Sequence, residues 1–307
     1  MEFQHYSVLL HECLEGLSIR PDGIYADGTA GGAGHSKEIA KRLTSGRLLA
    51  LDRDPEAVKV ATERLTDLPA KVIRANFSEI ASVCETEGVG GLDGMLLDLG
   101  VSSYQLDNAE RGFSYRNDAP LDMRMSGEGL SAYDIVNTYS LDELNRILRD
   151  YGEEKFSYSI AKNILRARAD KPIETTLELA EIIKSSMPAA ARREKNPSKR
   201  SFQAIRIAVN DELGSLQEGL QAAFDMLNPG GRLVVITFHS LEDRLVKQTF
   251  AGWCQGCTCP PDFPVCVCGK QPRAKLVNKK PILPSEQELA QNSRSQSAKL
   301  RILEKIG

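Results

Sequence analysis

The feature that most restricts this chain is a repeated order. A short apolar run is followed by an acidic or glycine-rich corner and then by an amphipathic stretch. Residues 23–25 lead through Ala26 and Asp27 into a glycine-rich turn and a helix-like stretch over 36–43. Residues 47–51 form a second apolar run that ends at Asp52. Asp54-Pro55 then offers a cap with proline at a first helical position, and 57–65 has helical spacing. Residues 71–75 and 92–97 are the third and fourth runs, the last ending at Asp98. Strands alternating with helices in this way predict a parallel sheet covered by helices on both faces, a doubly wound α/β fold.

The pattern breaks after Asp107. Helical signals dominate 141–151, 153–169, 176–187 and 200–210. Alternation then resumes with a helix over 212–227, a turn at Asn228-Pro229-Gly230-Gly231, a strand over 232–238 and a helix over 241–252. Strand candidates at 274–277 and 298–304 complete the sheet edge. The expected organisation is an α/β domain in two segments, 1–106 and 212–307, with a helical domain for substrate recognition, 107–211, inserted between them.

Composition narrows the function classes. The 307 residues are 41% hydrophobic, yet uninterrupted apolar runs such as 48–51 and 233–236 reach only about four residues, against about 18–20 for a membrane span. A membrane-spanning class is excluded. The N-terminal residues MEFQHYSVLLHECLEGL show no basic segment followed by an apolar one, so a cytoplasmic location is expected. Charge is uneven: 192–206 carries six basic residues against one acid, and 269–307 nine against three, leaving −14 on the rest of a chain whose net charge is −3. An acidic body with two basic segments fits a polyanion held at chosen places, although two solvated basic faces would look the same.

Seven cysteines include a group of five, Cys254, Cys257, Cys259, Cys266 and Cys268. A tetrahedral zinc site, reduced thiols and redox-labile disulfides all remain open for it.

The corner after the first strand reads Asp27-Gly28-Thr29-Ala30-Gly31-Gly32-Ala33-Gly34-His35. Its glycines permit close backbone approach to a ligand, but their spacing is not the G-x-G-x-x-G of a dinucleotide fingerprint. The acid before them suits an amino group better than a pyrophosphate. Asp52 stands where an acid accepts both ribose hydroxyls of an adenosine in a doubly wound sheet, or simply caps the next helix. Phe77, after Asn76, is a core residue or a flank for an adenine ring. Asp98 ends the fourth strand, at the switch point where such sheets bind ligands, and shares a crevice with Asp27. Adenosine without phosphates, gripped by acids, points to S-adenosylmethionine. His239, after the fifth strand, is a general base, a cap or a core residue.

At these residues a resemblance becomes specific. The runs HYSVLLHECLEGL, YADGTAGGAGHS, LDRDP, NFS, LLDLGVSSYQLDNAERGFSYRNDAPLDMRM, DYGEEKF, RSFQAIRI, NPGGRLVVITFHSLEDR and SAKLRI occur in order along the chain. They resemble the family of bacterial small-subunit (16S) ribosomal RNA methyltransferases that modify the exocyclic 4-amino group of a cytidine in the decoding centre. The resemblance implies a Rossmann-like S-adenosylmethionine-dependent methyltransferase sheet with an inserted helical domain. It implies cofactor contacts at Ala33, Gly34, His35, Asp52, Phe77, Asp98 and Gln105, and the small ribosomal subunit as partner. No DNA partner is expected.

Within that frame, Asp98, His239 and Ser102 are the catalytic candidates. Arg192, Arg193, Lys195, Lys199 and Arg200 are the candidates for RNA phosphates. The chain departs from the family at Ala30, where a larger apolar residue is common, and at Ala33, where glycine is usual. It departs again at 292–297, which lacks a proline and one of two usual arginines. The cysteine group is not part of the family signature. A non-catalytic RNA-binding factor and a methyltransferase for DNA or a small molecule are the alternatives; the basic run of the inserted domain disfavours the latter.

Overall fold

The computed structural model describes residues 7–193, 196–259 and 267–307. Lys195 and Cys266 lie outside the described residues. The chain forms two compact units, one made of 1–100 with 214–307 and the other of 101–213.

The first unit begins with α1 (Leu10–Leu17), β1 (Ile24–Asp27), α2 (Gly34–Ala40), β2 (Arg47–Asp52), α3 (Pro55–Leu65), β3 (Ala70–Arg74), α4 (Ile80–Thr86) and β4 (Leu92–Asp98). The second contributes α5 (Ser103–Asp107), α6 (Ala132–Thr138), α7 (Leu141–Asp150), α8 (Ser157–Asp170), α9 (Thr176–Ser185), α10 (Ala189–Arg192) and α11 (Lys199–Asn210). After α12 (Glu212–Met226), the sheet is completed by β5 (Leu227–Thr237), α13 (Ser240–Cys254), β6 (Ala274–Leu276), α14 (Glu286–Gln291) and β7 (Lys299–Lys305).

The seven strands lie in the order β3-β2-β1-β4-β5-β7-β6. The expected parallel pairing holds from β3 to β5, but β7 runs antiparallel to both β5 and β6. The correction has a simple cause: a period of two fixes which side chains face which side, and carries no information about strand direction. Asn228-Pro229-Gly230-Gly231 fall within the span of β5, where the pairing steps from Leu92–Leu227 to Gly94–Arg232 and so leaves these residues looped out of the ladder. Gly230, directly after Pro229, takes the left-handed backbone, φ 81°, of the turn expected there.

Alternation along the strands sorts the core into two layers. Leu49, Leu51, Leu97 and Val235 face one side, against Leu220, Phe224 and Trp253. Leu48, Ala50, Leu96 and Val234 face the other, against Leu9, Leu17, Ile39 and Leu65. The strand ends are thereby held rigidly, and it is on those ends that the candidate acids sit.

The second unit is helical around Ile135, Leu148, Ile164, Leu179 and Ile205. Ser131, Ser140 and Thr175 start its helices with capping boxes, each hydroxyl accepting from the N–H three residues on. Asn210, buried at the end of α11, accepts from the Met125 N–H at 2.8 Å and donates to the Met123 carbonyl at 2.7 Å. Met123 itself takes a left-handed backbone, φ 61°.

Candidate active site

Because β1, β2 and β4 are adjacent and parallel, Asp27, Asp52 and Asp98 come to neighbouring carboxyl ends, with the order of strands reversing between β1 and β4. Asp27 is fully engaged. It accepts from the Ser36 hydroxyl at 2.6 Å and from the Thr29 N–H at 3.1 Å. Burial pushes its pKa up, while the nearby His35 pulls it down. Thr29 also accepts from the Asp98 N–H at 2.7 Å, which ties the glycine loop to β4.

The loop is anchored at every side. Gly28 donates to the Leu96 carbonyl at 2.9 Å and Ala30 to the Leu51 carbonyl at 2.8 Å. Gly31 donates to Asp52 Oδ2 at 2.8 Å. A side chain at Gly28 would meet Leu97, Phe77 and Met95 atoms within 2.8 Å, so the close approach demands glycine. At Gly34 a Cβ would overlap the Ser7 hydroxyl. Ala33, expected as a departure from glycine, keeps a left-handed backbone with φ 59° and packs its methyl into the core. The loop's course is therefore kept at a strain of about 1–2 kcal/mol.

Asp52 Oδ1 accepts from the Asp54 N–H at 2.9 Å, so both oxygens already hold a backbone donor. Each oxygen keeps a second lone pair, enough for a diol. Burial, with the Asp54 and Asp27 charges adding, pushes the Asp52 pKa up to about 6.

His35 is buried. Its Nε2 lies 3.0 Å from the Val8 carbonyl and its Nδ1 3.6 Å from Asp98 Oδ2. A carbonyl only accepts, so Nε2 carries a proton and Nδ1 faces the carboxylate. Asp98 Oδ1 is buried without a hydrogen-bond partner among the described residues. Burial pushes the Asp98 pKa up to about 6, Asp27 and Glu242 add to the rise, and His35 opposes it. An unsatisfied buried carboxylate oxygen is costly and marks a place built for something else.

A fourth carboxylate was not singled out from the sequence. Glu242, 2% exposed, accepts from the Phe238 N–H at 2.8 Å and the His239 N–H at 3.3 Å. His239 caps α13, its Nδ1 accepting from the Glu242 N–H at 3.4 Å, while its Nε2 lies 3.1 Å from Glu242 Oε1. The spacing His-x-x-Glu before a helix is the signal that would have found this pair. Phe77 rests its ring on Gly219 of α12, where a Cβ would collide with it. Its neighbour Asn76 donates to the Ser215 hydroxyl at 3.0 Å. The ring is half-buried, at once core and site wall.

In the second unit, Ser102 and Gln105 satisfy each other as a capping box: Gln105 N–H to Ser102 Oγ at 3.2 Å and Ser102 N–H to Gln105 Oε1 at 3.0 Å. The basic candidates differ in what they already hold. Arg192 donates to the Met187 and Ser185 carbonyls at 2.7 and 3.0 Å, closing the end of α9. Arg200 donates to the Glu153 carbonyl at 3.3 Å. Arg193 and Lys199 are exposed, with no side-chain partner among the described residues. Of the cysteines, Cys257, Cys259 and Cys268 come together, while the Cys254 sulfur accepts instead from the main chain of Leu276.

Residues 2–306 match the family described as the MraW methylase family. The chain is similar to Ribosomal RNA small subunit methyltransferase H 2 of Agathobacter rectalis, with 57% identity over 99% of each chain. It is also similar to Ribosomal RNA small subunit methyltransferase H of Ruminiclostridium cellulolyticum, with 55% identity over the full length of both. A solved structure of an rRNA methylase from Streptococcus thermophilus aligns over 99% of each chain at 12% identity, with a TM-score of 0.45.

Proposed function

The chain belongs to the MraW methylase family, and from that premise we propose that it methylates the exocyclic 4-amino group of a cytidine in the decoding centre of 16S ribosomal RNA. It is an S-adenosylmethionine-dependent rRNA methyltransferase. The observation that carries the reading is Asp98: a carboxylate at the switch point, with one oxygen buried and unpartnered and His35 on the other.

The residues present fit the cofactor. It offers a ribose diol, an adenine and a cationic sulfur centre without phosphates, and the strand ends offer carboxylates. Asp52 has lone pairs to spare for the diol, Phe77 offers a ring edge for the base, and Ala33 and Gly34 bring main chain close. Asp98 Oδ1 would hold the cationic end, giving that oxygen the partner it lacks, and we assign Gln105 to the methionine moiety. When bound, the cofactor supplies an electrophilic methyl group.

The amine of cytosine is a weak nucleophile because its lone pair is shared with the ring. What the protein contributes is alignment and an acceptor for the amine proton. Asp98, or a main-chain carbonyl just after it, accepts that hydrogen bond, with His239 and Ser102 as helpers. The base must leave its stack to be reached. We assign the second unit, expected at 107–211, to holding the RNA through Arg192, Arg193, Lys195, Lys199 and Arg200. The cysteine thiolates, and not these carboxylates, are the groups that would hold a zinc ion, because thiolate suits it better. We place the activity in the cytoplasm; no helix among the described residues is long and apolar enough to cross a membrane.

The test is transfer of labelled methyl groups to unmodified small subunits, naked 16S rRNA and duplex DNA. Labelled 4-methylcytidine from the ribosomal acceptors is expected. Cofactor binding without transfer to any acceptor would favour a non-catalytic RNA-binding role. In a second test, Arg193→Gln with Lys199→Gln should weaken RNA binding and reduce the slope of log affinity against log salt by roughly 1 to 2, since each phosphate contact contributes roughly 0.7–0.9. An unchanged slope would make both side chains ordinary solvated charges.

A further inference from the structure

Between α13 and β6 the described residues of 255–273 form neither helix nor strand. The connection is nevertheless closed at its base. Arg273 N–H donates to the Trp253 carbonyl at 2.8 Å, and the Arg273 guanidinium lies 4.8 Å over the ring of Phe224, which stacks on Trp253. So long a connection between two elements is uncommon and needs a constraint or a purpose.

Three sulfurs inside it converge. The Sγ atoms of Cys257, Cys259 and Cys268 all lie within 4.8 Å of one another, and Cys257 and Cys268 are 3.7 Å apart. Each sulfur also accepts one main-chain N–H at 3.4 Å: Cys259 N–H to Cys257, Val267 N–H to Cys259, and Thr258 N–H to Cys268. Donors aimed at sulfur suit a thiolate, the form in which cysteine binds metal.

The geometry points to a metal site in which Cys257, Cys259 and Cys268 hold one zinc ion as thiolates. Zinc–sulfur bonds of about 2.3 Å in a tetrahedron place sulfurs about 3.8 Å apart, close to the Cys257–Cys268 separation, and the third sulfur needs only a small rotation to join them. Thiolates select zinc over the oxygen-loving magnesium and calcium. A water completes the tetrahedron. Cys254 is not among the sulfurs that converge there. The ion staples the connection, which Trp253 and Arg273 close at its base. Cys257 and Cys268 are exposed, so an ion reaches the site from solvent.

The experiment uses the full chain, reduced, stripped with a chelator and titrated with zinc chloride alone. One zinc per chain is expected to bind, and mass spectrometry of alkylated protein should show Cys257, Cys259 and Cys268 protected when zinc is present. Cys257→Ser and Cys268→Ser should weaken binding more than about 100-fold, beyond the loss seen for residues that only support a ligand, whereas Cys254→Ser should leave it unchanged. Cobalt(II) in place of zinc should give a sulfur-to-metal charge-transfer band that the same two variants lose. Should a variant fail to fold, the protection pattern of the unaltered chain decides alone. Equal alkylation with and without zinc overturns the site. So does a Cys257–Cys268 disulfide that forms in air and whose thiols, once reduced, take up no metal.

Discussion

Replacing Asp98 by asparagine should lower methyl transfer by at least about 100-fold while raising the melting temperature at pH 8. The two effects have one origin. Burial among Asp27 and Glu242 pushes the Asp98 pKa from 3.8 up to about 6, so the folded chain holds this proton more tightly than the unfolded chain does. Stability is therefore lost as pH rises from about 4 to about 6, and the full penalty, up to about 3 kcal/mol, is present above that range. Asparagine has the shape of the protonated acid and removes the penalty, but it offers no charge to a cationic cofactor. Below pH 4 the variant and the natural chain should melt alike. Cofactor affinity should strengthen with pH through about 6 in the natural chain, and the variant should keep only the shallower dependence that Asp52, also near 6, contributes. Melting curves at pH 5 and 8, with turnover on the same samples, check both halves. A variant that is less stable at pH 8, or that turns over normally, would make Asp98 a structural acid.

Asn210→Ala should destabilise the second unit by about 2–4 kcal/mol. Asn210 is 2% exposed, and its amide bridges the Met125 N–H to the Met123 carbonyl while also reaching the Arg206 carbonyl at 3.0 Å. Alanine leaves those groups buried and unpaired, because the space vacated is flanked by side chains and not by solvent. The loss also frees Met123, whose left-handed backbone is held only while its neighbours are fixed. Urea unfolding should show the midpoint shift with little change in slope. A loss below about 1 kcal/mol would mean that Arg111, which donates to the Arg124 and Met125 carbonyls at 2.8 and 3.1 Å, holds the segment without help.

The strand-end acids were legible because one physical rule connects them. Once residues 23–97 alternate strand with helix, the last residue of each parallel strand must arrive at the same edge. Asp27, Asp52 and Asp98 follow from that rule alone. What each acid touches does not, because Ser36, Thr29 and Val8 reach them across loops whose courses no periodicity encodes. Glu242 escaped notice for a related reason: its capping box was written in the sequence, but its place beside Asp98 depends on β5 pairing with β4. Among the helices, 141–151 and 200–210 were predicted within a residue or so, their apolar spacing being long and regular. α1 and α6 were not predicted, since eight and seven residues give too few turns for a period to emerge. The basic run from Arg192 to Arg200 read as one patch, yet two of its guanidiniums also hold carbonyls that only the folded unit brings near.

The split of the sheet across the chain has a consequence for how the molecule is born. β4 pairs on one side with β1 and on the other with β5, and Asp98 finds Ile236 only after the whole of 101–213 has been made. At about 5–20 residues per second, the β4 edge waits roughly 7–30 s on the ribosome. That edge reads Leu92-Asp93-Gly94-Met95-Leu96-Leu97-Asp98, and bare apolar edges of this kind attract other chains. The helical unit has time to fold before the edge is covered, which shortens the effective tether between the halves of the sheet. β7 caps β5 only once residues 299–305 have been made. A chain released before residue 299 therefore exposes β5 along its length, and quality control meets every truncated copy as an open sheet.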